Sequence, residues 1–169
     1  MSKIQGEYHH IVHPIAPFYD ADSKILVLGS FPSVKSREQN FFYGHPQNRF
    51  WKVMAALLNE PVPQDIPQKK AMLLKHGIAL FDVIESCDIV GSSDSSIKNV
   101  TVNDLSPILN GSKVGNHIFT NGKKAGELYM KYTFPKTEIP CTVLPSTSPA
   151  NAVWTLDKLI MRWGELLDI

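Results

Sequence analysis

Cysteine is scarce in this chain. Only Cys87 and Cys141 occur among 169 residues, and neither sits in a C-x-x-C pair or beside histidine at metal-ligand spacing. Both flank apolar runs and read as small buried hydrophobes. An excess of either charge is missing too. Lys and Arg number 17 against 16 Asp and Glu, a net +1. A nucleic-acid role would therefore rest on a local basic stripe, not on the field of the whole molecule. No apolar run is long enough to span a membrane, and the amino terminus lacks a signal core, so a cytoplasmic location is expected. The patterns G-x-G-x-x-G and G-x-x-x-x-G-K are absent, which removes the main support for dinucleotide or triphosphate binding. His9, His10 and His13 lie close together near the start. No further ligand cluster joins them, so no metal site is expected.

What is present describes an ordinary globular chain, 43% hydrophobic and 20% charged. Its length suits a single domain over 1–169, with 1–22 as an irregular arm. Four short apolar runs read as strands. They are Lys24 to Leu28, ended by Gly29; Ile78 to Ile84; His117 to Thr120, ended by Asn121-Gly122; and Cys141 to Leu144, stopped by Pro145. None alternates polar with apolar, so both faces of each strand are buried, as in a parallel sheet.

Helical patterns separate the runs. Asn48 to Asn59 carries one apolar face of Phe50, Trp51, Met54, Leu57 and Leu58. Pro67 to His76 ends at Gly77. Thr101 to Leu109 opens with Thr101 and Asp104 in capping-box spacing. Lys123 to Tyr132 and Pro149 to Leu167 complete the set, the last with a stripe through Leu159 and Trp163 that reads as core. This order predicts a three-layer α/β/α sandwich around a mainly parallel four-stranded sheet. Ligands of such sheets sit beyond the carboxyl ends of the strands.

The loops at those ends carry the chemistry. Gly29-Ser30-Phe31-Pro32-Ser33 is a small-residue turn that lets backbone amides approach a ligand. Phe41 to Trp51 packs aromatics around Gly44, Pro46 and Asn48 just before a helix. Asn48 has two compatible readings there, an N-cap and an amide that holds a ligand. In Leu144-Pro145-Ser146-Thr147-Ser148-Pro149-Ala150-Asn151, Ser148 reads as an N-cap and Pro149 as the first helical residue. A helix N-terminus among hydroxyls suits a phosphate.

Taken together, Gly29-Ser30-Phe31-Pro32, His45-Pro46-Gln47-Asn48-Arg49-Phe50-Trp51 and Leu144-Pro145-Ser146-Thr147-Ser148 resemble the signature regions of the uracil-DNA glycosylase superfamily. The Asn-Arg-Phe-Trp segment is similar to the mismatch-specific uracil/thymine branch. The Gly-Ser-Phe-Pro turn and the Ser-Thr-Ser loop resemble the hypoxanthine-DNA glycosylase branch. The resemblance covers about residues 23–167. It implies a monofunctional DNA glycosylase, a monomer acting on a base flipped out of DNA, with no cofactor.

The resemblance also implies roles. The mismatch-specific branch positions its water with an Asn where this chain has Phe31, which cannot hydrogen-bond water. The hypoxanthine branch uses the Asn of the aromatic segment, which is Asn48 here. An amide orients water without ionising it, which suffices for an oxocarbenium-like transition state. The turn through Gly29, Ser30, Phe31 and Ser33 would stabilise the leaving base through its amides. The superfamily stacks the base on an aromatic twelve residues after the Phe31 position, which gives Tyr43. Asp82 stands where some members place an Asn that reads the base edge. Ser33, Ser146, Ser148, Ala150 and Asn151 would touch DNA, with Lys35, Arg37, Lys123 and Lys124 nearby. Ala150 stands at the wedge position, where alanine is a poor wedge. No lysine matches a Schiff-base position, and two cysteines do not supply the four that iron–sulfur branches use. Two other readings stay open: a catalytically silent DNA-binding module of this fold, and an enzyme acting on free nucleosides.

Overall fold

A computed structural model describes residues 6–169. Among these residues seven strands form two sheets: β1 (His9–Val12), β2 (Ile25–Gly29), β3 (Ile78–Asp82), β4 (Ile84–Ile89), β5 (Lys98–Val102), β6 (Ile118–Asn121) and β7 (Thr142–Leu144). The helices are α1 (Val34–Gln39), α2 (Phe50–Leu58), α3 (Ile66–His76), α4 (Ser106–Gly111), α5 (Lys123–Leu128), α6 (Phe134–Thr137) and α7 (Leu156–Trp163). A π-helical turn, Tyr129–Thr133, joins α5 to α6. No helix is long and apolar enough to cross a membrane.

The expected parallel sheet is present, in the order β3-β2-β6-β7 with every pair parallel. Its middle is fully buried: Leu26, Val27 and Leu28 expose nothing. Each such side chain contributes about 1.5–3 kcal/mol by leaving water. Strand β2 lies between β3 and β6, so the chain leaves it to opposite sides. That is a topological switch point, with its crevice at the carboxyl ends of the strands. One layer pairs α2 with α7, where Phe50 meets Trp163 at 5.9 Å between ring centroids. The Trp163 indole donates to the Pro145 carbonyl at 2.9 Å.

Four expectations are corrected. The run Ile78 to Ile84 is not one strand: the chain leaves the parallel sheet after Asp82 and starts β4 at Ile84. β4 belongs to a second, antiparallel sheet of order β1-β4-β5. The arm over 1–22 is not irregular throughout, because His9–Val12 pairs with Ser86–Ile89 in that sheet. Residues 1–5 of the arm lie outside the described residues. Thr101 to Leu109 is not one helix. Thr101 pairs with Ser86 in β5, and Asp104 accepts from the Ser106 amide to start α4. Finally, α7 begins at Leu156, capped by Thr155, not at Pro149. The backbone between Thr147 and Trp154 is held in a loop by Arg49, as described below.

The two cysteines are free. Cys87 is fully buried on β4. Burial, aided by the Asp88 charge, pushes its thiol up to about 11, so it packs as an inert apolar side chain.

Candidate active site

Asp82 and Tyr43 close over Gly29 at the carboxyl end of β2. A side chain here has no room: its Cβ would lie 2.4 Å from Asp82 Oδ1 and 3.3 Å from the Tyr43 hydroxyl. Glycine thus lets a carboxylate and a phenol close on the same point above the strand end. Gly29→Ala is expected to cost about 1–3 kcal/mol of stability through this overpacking. It would also displace Asp82, and urea unfolding measures the stability lost.

Asp82 is 3% exposed, and its partner comes from far along the chain. The Ile15 amide donates to His13 Nδ1 at 3.2 Å, so that nitrogen carries no proton. The proton therefore sits on Nε2, which donates to Asp82 Oδ2 at 2.7 Å. Phe31, Phe42 and Phe81 pack around the imidazole with centroids 5.8, 6.3 and 5.1 Å away. Phe31, which has no group to hold water, is part of this wall. The other two histidines of the arm go elsewhere, His10 to Asp88 at 2.9 Å and His9 toward Glu7 at 4.0 Å.

Tyr43 reaches the same floor from the aromatic loop. Its ring stacks on Phe50 at 4.1 Å, and the Trp51 indole donates to its carbonyl at 3.1 Å. These contacts hold a non-glycine residue at φ 53°, a sparsely populated conformation that surrounding packing must sustain. The hydroxyl is buried without a hydrogen-bond partner. Burial, then the Asp82 charge, hold the phenol well above its usual range, while the Asn121 amide opposes the shift. The group stays a protonated donor. One ring face is covered by Phe50, so the part of Tyr43 brought to Asp82 is the hydroxyl.

Asn48 sits opposite, in a chain of side-chain bonds. Asn121 Nδ2 donates to Thr147 Oγ1 at 3.0 Å, and that hydroxyl donates to Asn48 Oδ1 at 2.8 Å. The same oxygen accepts from the Phe50 amide at 2.9 Å. The cap expected at Asn48 is corrected, since α2 starts one residue later than an Asn48 cap requires. The position directly before α2 is Arg49, which makes no side-chain cap bond, so Asn48 supplies the acceptor from one residue earlier. Both lone pairs of its oxygen are occupied, and the orientation of the amide is fixed by an N–H that only donates. Thr147 itself exposes nothing.

Arg49 is the residue that sequence reasoning missed. Its guanidinium donates to the carbonyls of Ser148 at 2.9 Å and Asn151 at 3.1 Å, to Thr147 at 3.4 Å, and to Trp154. Its own amide donates to the Thr147 carbonyl at 3.0 Å. One planar fork thus folds the last loop over the site. The adjacent capping asparagine was the only hint in the sequence, since nothing local marks an arginine that binds a loop about a hundred residues away.

The remaining residues divide. The Ser30 hydroxyl is spent on Asp94 at 2.9 Å, and that of Ser33 caps α1. The amides of Phe31 and Ser33 have no acceptor among the described residues. Ser146 and Ser148 do not flank a helix N-terminus, which corrects the expected anion site. Their hydroxyls accept from Ser148 and Ala150 amides within the loop. Asn151 donates to the Ser146 carbonyl at 3.0 Å and stiffens the same turn. Ala150 is exposed, and the larger exposed apolar group nearby is Val153. Arg37 is not a free cation: it donates to the Gly91 carbonyl at 2.8 Å and lies over Phe31. Lys35 pairs with Glu38 and Lys123 with Glu127, both on the surface. Lys124 stays within electrostatic reach of Asp94.

A parallel sheet with a switch point, a Gly-Ser-Phe-Pro turn facing a buried carboxylate, and an amide held by Thr147 thus meet at the strand ends. The sequence model of the uracil DNA glycosylase superfamily matches residues 16–166. The chain belongs to that superfamily, and it is a hydrolase of N-glycosyl bonds in DNA. Within it, the chain is 36% identical to a hypoxanthine DNA glycosylase of Methanosarcina acetivorans over 133 residues, 78% of this chain and 83% of the relative. It is 32% identical to a hypoxanthine DNA glycosylase of Methanosarcina barkeri over 112 residues, 66% of this chain and 71% of the relative. The fold matches a solution NMR structure of a Methanosarcina acetivorans protein provisionally assigned as a uracil DNA glycosylase. The TM-score is 0.71 at 30% identity, covering 93% of this chain and 99% of that one.

Proposed function

We propose that this enzyme, acting as a cytoplasmic monomer, removes hypoxanthine from DNA, with uracil as a second base, and leaves an abasic site. One observation carries the reading. Asp82 and Tyr43 close on Gly29 at the end of β2, and Asn48, from the same loop as Tyr43, is tied through Thr147 to Asn121 at the end of the neighbouring β6 in a glycosylase-superfamily fold.

The target nucleotide leaves the stack and its base enters the crevice. Asp82 Oδ1 accepts from the ring N–H of the base. The free amides of Phe31 and Ser33 face the charge that builds on the departing base. Asn48 holds the attacking water beneath the sugar. Rotation of the Thr147 hydroxyl away from Asn48 hands one lone pair of Oδ1 to that water. An amide leaves the water un-ionised, which an oxocarbenium-like sugar accepts. No lysine stands where a Schiff base would form, so the backbone stays uncut. The loop through Ser146, Ser148, Ala150 and Asn151, kept rigid by Arg49, lies against DNA. Its exposed Val153 compensates for a small Ala150 as the group that fills the vacated stack.

The test is direct. Labelled duplexes containing deoxyinosine, deoxyuridine or deoxyxanthosine are incubated with the protein, then treated with alkali. Alkali-dependent breaks at deoxyinosine, and more slowly at deoxyuridine, are expected. Binding without breaks at any lesion would mean a silent module instead.

A further inference from the structure

The antiparallel sheet reaches back to the turn after β2. Residues 90–97 connect β4 to β5 and are stitched to the segment 30–37. The Ser30 hydroxyl donates to Asp94 Oδ1 at 2.9 Å, the Val34 amide to the Ser92 hydroxyl at 2.9 Å, and Arg37 to the Gly91 carbonyl at 2.8 Å. The connection is closed on itself by buried Ser96, which accepts from the Val90 amide at 2.9 Å and donates to the Ser93 carbonyl at 2.6 Å. A braced loop of the second sheet thus grips the turn of the first.

Ser30 is held twice. Its carbonyl accepts from the Ile84 amide at 3.1 Å. The carbonyl and N–H of a trans peptide point opposite ways, so the Phe31 amide turns away from Ile84. That amide has no acceptor among the described residues. The hydroxyl bond to Asp94 is the second hold. One hold fixes the peptide and the other the side chain on the same Cα, so together they limit rotation of the Phe31 N–H.

Asp94 itself is exposed, yet enough protein surrounds it that desolvation pushes its carboxyl up. The Ser30 bond and the Lys124 charge oppose that shift, and the Asp82 charge adds to it. A carboxylate beside the strand ends repels an approaching phosphate backbone, so it does not serve DNA affinity. The side-chain bond it makes is the one to Ser30, and a hydroxyl donating to a carboxylate is stronger than a neutral pair.

We propose that Asp94 is a positioning residue for excision: through the Ser30 hydroxyl it keeps the Phe31 amide aimed at the charge that develops on the departing base. This rests on the glycosylase reading above. A donor aimed in advance needs no reorganisation as the charge appears, which is where its contribution to rate lies.

The test separates the bond from the charge. Single-turnover excision of deoxyinosine duplexes by the full chain is measured over a range of enzyme concentration, with thermal melting of each variant alongside. Asp94→Ala is expected to lower the rate at saturation about tenfold, since a loosened donor is misplaced for part of the time. Half-saturation should stay or fall, because a negative charge has left the side that meets DNA. Melting should move little for an exposed side chain. Asp94→Asn, whose carbonyl oxygen accepts from Ser30, should recover most of the rate while binding DNA as Asp94→Ala does. Ser30→Ala should lose about the same factor as Asp94→Ala, and Ser30→Ala/Asp94→Ala no more than either alone, as for two residues acting through one bond. An undiminished rate in Asp94→Ala, additive losses in the double variant, or a rate loss that comes with weaker binding would overturn the inference and leave the glycosylase reading intact. A wild-type protein silent on every duplex would overturn both.

Discussion

Asn48→Ala is expected to lower single-turnover excision of deoxyinosine by about 100-fold or more, with substrate affinity little changed. A water placed within reach of the sugar is worth at least this much, because misplacement by an ångström already costs about 100-fold. The loss should fall on the rate at saturating enzyme, not on half-saturation, since Asn48 faces the reacting centre and not the DNA backbone. The fold should survive. The variant loses one acceptor at the start of α2, worth about 1 kcal/mol, and the Thr147 hydroxyl regains another orientation. Asn48→Asp keeps an acceptor toward Phe50 and Thr147, so it should melt close to wild type and retain more activity than alanine. Undiminished excision by Asn48→Ala would show that water is held by another group, even if the reaction is the one proposed.

Arg49→Ala is expected to produce the largest loss of stability of any single exposed-to-intermediate site. Four loop carbonyls lose a charged donor at once. Hydrogen bonds to charged groups contribute about 1.5–3 kcal/mol each when removed singly, and water recovers some carbonyls, so a net cost of about 3 kcal/mol is expected. For a chain of this size that lowers the melting temperature by about 10 °C. Hydrogen exchange should locate the damage, with protection lost at amides of the 147–154 loop while those of β2 and β6 stay protected. Excision should fall too, because Thr147 positions Asn48 from that loop. Arg49→Lys should not rescue either property, since an ammonium has no planar fork to span several carbonyls. Wild-type protection of the loop in Arg49→Ala would mean that the loop holds itself.

Much of this molecule was legible before its coordinates. The four apolar runs form the parallel sheet because strands buried on both faces need no alternation to be recognised. The candidate residues lie at their carboxyl ends, in the loops where ligands of open parallel sheets bind. Capping chemistry was less reliable. The Gly77 stop after His76 is local and holds, whereas Ser148 and Thr101 each look like caps and are not, because tertiary bonds claim the backbone first. The antiparallel sheet escaped notice for a related reason. Its outer strands are mostly exposed, and β4 runs on almost directly from a buried strand without a turn signal, its buried Ile84, Cys87 and Ile89 broken out of strict alternation by a register shift.

By itself the sequence determined the fold class, which rests on periodicity, and the superfamily resemblance, which rests on short contiguous motifs and names Asn48, Asp82 and Tyr43 as candidates. Tertiary structure alone decided what those residues can do. Asn48 has a filled oxygen because Thr147 arrives from the other end of the chain. The Tyr43 hydroxyl is buried where its ring, stacked on Phe50, puts it. Asp82 has one oxygen engaged because His13, directly after β1 and sixty-nine positions away in sequence, donates to it. Hydrogen-bond direction is a property of pairs, and no local pattern records a partner that distant.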